Sequence, residues 1–150
     1  MSAVVHVRDR IVALSSRLSW LPPLIARLVL GVAFLRTGWG KLHSLDSVAQ
    51  FFASLGIPAP SFHAVLVGGT ELVGGALLIA GLGTRLAAAP LAVTMIVATA
   101  TAQWPQAESI ADLTATIELA YLALLVWLVQ AGGGAASLDH LIARRLRASR

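Results

Sequence analysis

Residues 27–43 read RLVLGVAFLRTGWGKLH. Most of the run is apolar enough to sit in lipid, yet it carries Arg27, Arg36 and Lys41. An ionised side chain at mid-membrane costs about 2.5–3.5 kcal/mol on insertion scales, so such residues normally face a bundle interior and find partners there. The stretch therefore predicts one helix of a polytopic bundle rather than a lone anchor.

The rest of the 150-residue chain agrees: 57% of its residues are hydrophobic and 12% charged, with mean hydropathy +0.82. Soluble domains run nearer a quarter charged, so the expected solvent is a lipid bilayer. One domain, 1–150, is the natural count at this length. There is no cysteine, which excludes disulfides, thiolate metal sites and thiol relays within the chain. The pI near 11.1 could suggest nucleic acid, but the basic residues gather mostly at the two ends, and no nucleic-acid partner is expected.

Four stretches are long enough, at roughly 18–22 residues, to cross the hydrocarbon core as helices: about 22–43, 62–82, 86–104 and 113–131. Pro22 and Pro23 suit a helix start, where amides have no partner to lose. Gly81 and Gly83 end the second span, and Thr84 is expected to cap the third. Gly132, Gly133 and Gly134 stop the fourth. Between the first two spans, Leu45, Val48, Phe52 and Leu55 repeat at helical spacing and predict a short interfacial helix. Residues 3–18 predict another, with Val4, Val7, Ile11, Leu14 and Leu18 on one stripe. The fold class is thus all-α: an integral membrane four-helix bundle with short interfacial helices at the N-terminus and in the first periplasmic loop.

Orientation follows from charge. Arg8, Arg10, Arg17, Arg85, Arg144, Arg145, Arg147 and Arg150 share one side of an even-span topology, while the 105–112 loop on the other side is acidic. The positive-inside rule then puts both termini in the cytoplasm.

At about 100° per residue, Arg27, Gly31, Phe34, Gly38 and Lys41 fall on one stripe of the first helix, and Arg36, Gly40 and His43 on another. On the second span, Ala64, Gly68, Glu71 and Gly75 share a face whose small residues admit a close neighbour. Thr114, Glu118 and Tyr121 share a face of the fourth. With about 1.5 Å of rise per residue, Arg36 lies about 10 Å, Glu71 about 13 Å and Glu118 about 7 Å from the outward ends of their helices. Arg36, Lys41, Glu71 and Glu118 are therefore expected to gather in the outward half and to neutralise one another. Such a set either locks the helices in register or lines a polar cavity for a small ligand or a proton path. Arg27 stands apart near the cytoplasmic end, where it can snorkel or meet the tail. His43 and His63 lack the spacing of a metal site, and no catalytic triad or phosphate loop is present.

The pattern R-x3-G-x2-F-x3-G-x2-K-L from Arg27 to Leu42 resembles the first helix of the DoxX family. FFASLGIPAP at 51–60, ELVGGALLIAGLGTRLAA at 71–88 and SLDHL at 137–141 continue the resemblance in the family's order. It implies a four-helix protein of the bacterial inner membrane, with relatives in terminal oxidase and thiosulfate:quinone oxidoreductase systems.

The functional expectation joins the two lines. It is a membrane subunit of a redox system that is not a self-sufficient enzyme and has no catalytic residue of its own. It holds a quinone or another small molecule at Arg36, Lys41, Glu71, Glu118, Tyr121 and His43, or docks a soluble or membrane oxidoreductase, and a homo-oligomer is compatible with this. The rivals are a small-solute carrier or channel and a membrane assembly factor.

Overall fold

The computed structural model describes Ser16 and residues 18–149. The expected N-terminal interfacial helix falls, but for Ser16 and Leu18, outside these residues. The described chain is helical: α1 Leu21–His43, α2 Leu45–Ser54, α3 Pro60–Ala80, α4 Thr84–Ala98, α5 Ile110–Thr114, α6 Ile117–Ala131 and α7 Leu138–Ala148. Three spans, Leu21–His43, Pro60–Ala80 and Thr84–Gln106, are long and apolar enough to cross a membrane, and α6 is a shorter apolar helix. Leu30, Leu78, Leu91, Leu125 and Leu128 are wholly buried between the helices, yet Val29, Val73, Val93 and Ile96 are exposed on their outer faces. Helices apolar on every side belong in a bilayer.

The α1–α3 pair is the tightest contact, and glycine makes it so. A β-carbon added at Gly31 would lie 2.9 Å from the Gly75 carbonyl oxygen, and one at Gly75 would lie 2.8 Å from that of Gly31. One at Gly38 would lie 2.8 Å from the Gly68 carbonyl oxygen. The two backbones touch where small residues from both helices coincide, as close crossings in membranes require. The helix over Leu45–Ser54 packs against α3, α4 packs against α6, and α1 meets α6 through the Phe34 and Tyr121 rings, whose centroids are 5.7 Å apart.

Two expected spans are altered by local hydrogen bonding. The third does not run evenly to residue 104: Thr99–Gln103 is a π-helical turn, closed by the Trp104 amide on the Thr99 carbonyl, and Trp104–Gln106 is 3₁₀. Pro105 has no amide to continue the ladder, and the Thr99 and Thr101 hydroxyls bond back to the Met95 and Val97 carbonyls, a pattern that bends helices. The fourth does not begin at 113. A capping box between Ser109 and Asp112 starts α5, the Thr114 and Thr116 hydroxyls turn back to Ala111 and Leu113, and the chain restarts at Ile117. At 1.5 Å per residue, the 15-residue α6 reaches only about 22 Å.

The tail returns to the bundle. Gly132 and Gly134 adopt positive φ, +77° and +71°, and the turn they make brings carbonyls under the first helix. Arg27, 1% exposed, donates from Nη1 to Gly133 O at 2.7 Å and from Nη2 to Ala136 O at 3.0 Å. Of its two expected fates, snorkelling and meeting the tail, the second is observed. The cap of α4 also differs from expectation. Gly83 is the N-cap residue and Thr84 the first helical one. The carboxylate of Asp139 supplies the acceptor, taking the Gly83 amide at 2.7 Å and the Thr84 amide at 2.9 Å. An anionic side chain suits the positive end of a helix, and here it comes from a tail that also bonds Asp139 N–H to Gly81 O at 3.0 Å.

Candidate functional site

In the half of the bundle at the His43 end of α1, Lys41 Nζ donates to Glu71 Oε2 at 2.6 Å. Thr37 Oγ1 donates to the same oxygen at 2.9 Å. Helical periodicity puts Lys41 three residues beyond Gly38, so its stem crosses the glycine contact and reaches Glu71 on the facing helix. The carboxylate side chain is 3% exposed and that of the lysine 28%. A carboxylate so buried needs its cation, while the ammonium keeps one side open. Both hydrogen bonds land on Oε2, and among the described residues Oε1 accepts none. The pair is thus a donor and an acceptor side by side, each with capacity left.

A second polar contact lies where α4 ends. Gln103 Nε2 donates to Glu118 Oε1 at 3.1 Å, and the π-helical turn is what carries Gln103 to that position. Tyr121 sits one turn further along α6, against Phe34. Counted from that ring contact, Glu118 lies one turn and Lys41 two turns toward the same end of the bundle. No hydrogen bond joins the two carboxylates' environments among the described residues.

The expected gathering of two cations and two carboxylates is therefore only partly seen. Lys41 meets Glu71. Arg36 does not: it is exposed, on the outer stripe of α1 with Ile25, Val29 and Val32, and it has no ion pair or hydrogen bond among the described residues. The reason is rotation, since Arg36 is about 140° around the helix from Lys41 at 100° per residue. Glu118 meets a neutral amide instead of a cation. His43 is exposed too, its Nδ1 2.9 Å from the Trp39 carbonyl and its ring 4.2 Å from that indole. Thr37 and Gln103 are polar partners of these two carboxylates that the sequence reading missed. Thr37 could have been found, one turn before Lys41 and beside Gly38, whereas Gln103 depends on a turn that no periodicity announces.

Two cavities of about 620 and 650 Å³ lie elsewhere: one between the α3–α4 turn and the glycine run, the other an apolar groove between α3 and α4 around Gly69, Val73 and Pro90. Neither is lined by Lys41 or Glu71. The pair is open to its surroundings through the partly exposed side of Lys41, at the edge of the α1–α3 seam.

Comparison with known proteins fits this architecture. The match with "Putative oxidoreductase CatD" of Bacillus subtilis is 37% identical over 73 residues, 49% of this chain and 53% of that protein. That with "Uncharacterized membrane protein Rv3486" of Mycobacterium tuberculosis is 33% identical over 138 residues, 81% of this chain and 82% of that protein. "Inner membrane protein YphA" of Escherichia coli is 36% identical over 73 residues, 49% of each chain. The matched region thus spans about half the length of CatD and of YphA. No solved structure matches the chain. The DoxX family model matches residues 23–104, which take in Lys41, Glu71 and the glycine seam between them, and the chain belongs to the DoxX family.

Proposed function

We propose that this DoxX protein is a membrane subunit of a redox-linked system, and that Lys41 and Glu71 hold the polar head of a quinone or of a small molecule with similar hydrogen-bonding groups. The observation that carries the reading is the unequal use of the Glu71 carboxylate: Thr37 and Lys41 both occupy Oε2, and Oε1 is left for a donor. The donor set suits such a head group. The Lys41 ammonium can donate to a carbonyl oxygen, and Glu71 Oε1 can accept from a hydroxyl. Bound there, a quinone would supply two-electron, two-proton chemistry that no side chain of this cysteine-free protein provides. The residues' own part is to orient the head group and to exclude water along the packed α1–α3 seam. Glu118 and Tyr121 stand toward the same end of the bundle as a second polar station, while Arg36 and His43, on the outer face of α1, lie outside the site.

Electrons must then come from a partner, and a relative named as an oxidoreductase supports that class. The arginines of the tail end support a cytoplasmic side for that end in a bacterial inner membrane, with the Lys41–Glu71 end then facing the periplasm. The test is retention of quinone by gently extracted protein, measured by solvent extraction and chromatography. Wild type should retain quinone, and the charge-neutral double variant Lys41→Met/Glu71→Gln should retain at least tenfold less while remaining folded. Equal retention by the two proteins refutes the site.

A further inference from the structure

Among the described residues, the tail helix α7, Leu138–Ala148, is an amphipathic surface that neither the bundle nor the Lys41–Glu71 site uses. Leu138, Leu141, Ile142 and Leu146 are 42%, 53%, 47% and 63% exposed. Their spacing of three and four residues puts them on one stripe. Arg145 stands within that stripe, Arg144 about 60° outside its edge and Arg147 opposite. Among the described residues, none of these arginines has a hydrogen bond or ion pair, nor is any acidic side chain of α7 free to neutralise them, because Asp139 is committed to the Gly83 and Thr84 amides.

We propose that α7 lies on the membrane surface and binds anionic phospholipid headgroups, its leucine stripe in the acyl boundary and its arginines on the phosphates. Three observations converge on this occupant. The apolar stripe is interrupted by a guanidinium, so the surface that covers it must be apolar and anionic at once, which describes the headgroup boundary of an anionic leaflet. The helix leaves the bundle at headgroup depth, since its first turn is tied by Asp139 N–H to Gly81 O at the end of α3 and by the Asp139 carboxylate to the start of α4. The long flexible arms of Arg144 and Arg145 can bury their stems along the leucines while their heads reach outward. This proposal is independent of the ligand at Lys41 and Glu71.

The chain has no cysteine, so one introduced cysteine takes one label. Full-length protein carrying Leu141→Cys with an environment-sensitive fluorophore is reconstituted into vesicles of phosphatidylcholine alone and of an equal mixture with phosphatidylglycerol. In the anionic vesicles the label should emit to the blue and be quenched by brominated acyl chains, and the same label at Ala143, on the polar side, should remain in water. Each arginine near an anionic surface is worth a factor of about five, so replacing Arg144, Arg145 and Arg147 together with Gln should weaken docking on the order of a hundredfold. Added salt should weaken it in the same direction. The proposal is overturned if the label at position 141 stays in water in both vesicles. It is equally overturned if docking is the same with and without phosphatidylglycerol, or if the blue emission rises with protein density at fixed lipid composition, since a second copy would then be the cover.

Discussion

Arg27 and Gly133 are 106 residues apart in the chain and 2.7 Å apart in the molecule, guanidinium to carbonyl. The contact fixes the tail to the first helix at the end of the bundle opposite the Lys41–Glu71 pair. One cation on α1 therefore closes each end: Lys41 joins α1 to α3, and Arg27 joins α1 to the loop beyond α6. Of the three cations in this apolar helix, two are internal struts and one, Arg36, is exterior.

The strut at Arg27 depends on a planar fork that reaches two carbonyls at once, Gly133 and Ala136. Lysine is a point donor and cannot span them. Arg27→Lys should free the 132–137 loop, and Arg27→Met should also strand the buried Gly133 carbonyl, at a cost of about 1–3 kcal/mol. The measurement is maleimide labelling of Ser137→Cys, a position 5% exposed in the latched loop, in the otherwise cysteine-free chain. Labelling should speed up at least tenfold in both Arg27 variants, and an unchanged rate would show that the loop is held by other means.

Asp139 gives the same region a pH dependence. Burial works to raise its carboxyl, but the Thr84 and Gly83 amide hydrogen bonds, with the Arg27 charge nearby, together outweigh it and hold the group below its ordinary value of 3.8. A depressed folded-state value means that the folded protein favours the ionised form. The stabilisation is thus fully present above the unfolded-state value near 3.8 and is lost as pH falls through the lower folded-state value. Tail docking, followed by a fluorophore on Ser149→Cys, should be constant from neutral pH down to about 5 and weaken only below about 4. Asp139→Asn should dock more weakly at neutral pH and lose that acid transition.

Gly38 tests the seam. Its missing β-carbon is replaced by backbone of α3, with the Gly68 carbonyl oxygen 2.8 Å from where that carbon would lie. Backbone cannot rotate aside, so Gly38→Ala must push the helices apart and should cost about 1–3 kcal/mol. Gly40, whose β-carbon would meet nothing within 4 Å, is the control and should tolerate Ala. Thermal unfolding in detergent distinguishes them, and equal melting temperatures for the two variants would refute the close contact.

Much of this bundle was legible because lipid leaves a sequence few choices. Apolar runs mark the spans, coincident glycines mark the seam, and a carboxylate at Glu71 in a glycine-rich span needs a cation from the helix it touches. Which cation was decided by rotation: Gly38 identifies the buried stripe, and Lys41 shares it while Arg36 does not. The breaks were harder to see. The π-helical turn at Thr99–Gln103 and the restart at Ile117 arise from threonine hydroxyls competing for backbone carbonyls, and threonines in helices carry no mark of when they win. The tail latch is a long-range contact of irregular backbone, invisible to any periodicity. Its signals were Arg27, which had no carboxylate at its own depth, and Asp139, whose i+3 and i+4 neighbours, Ile142 and Ala143, carry no charge.

The Lys41–Glu71 pair makes an asymmetric prediction. Glu71 is buried and Lys41 is partly exposed, so the two single variants should not cost the same. In Glu71→Gln the ammonium is left without its anion but can extend toward the bundle's edge. In Lys41→Met the carboxylate has no such route and must stay charged in an apolar seam or take up a proton. Breaking a buried pair costs about 3–5 kcal/mol, and Lys41→Met should lie near that figure with Glu71→Gln below it. The double variant Lys41→Met/Glu71→Gln removes both charges and should recover much of the loss, because the stranded ion is gone. Unfolding of all four proteins in detergent closes the cycle, and equal losses in the two single variants would refute the burial difference. Quinone retention then separates structure from function: a double variant that is stable and still retains quinone makes the pair a strut alone, and one that is stable but empty gives Glu71 Oε1 a ligand.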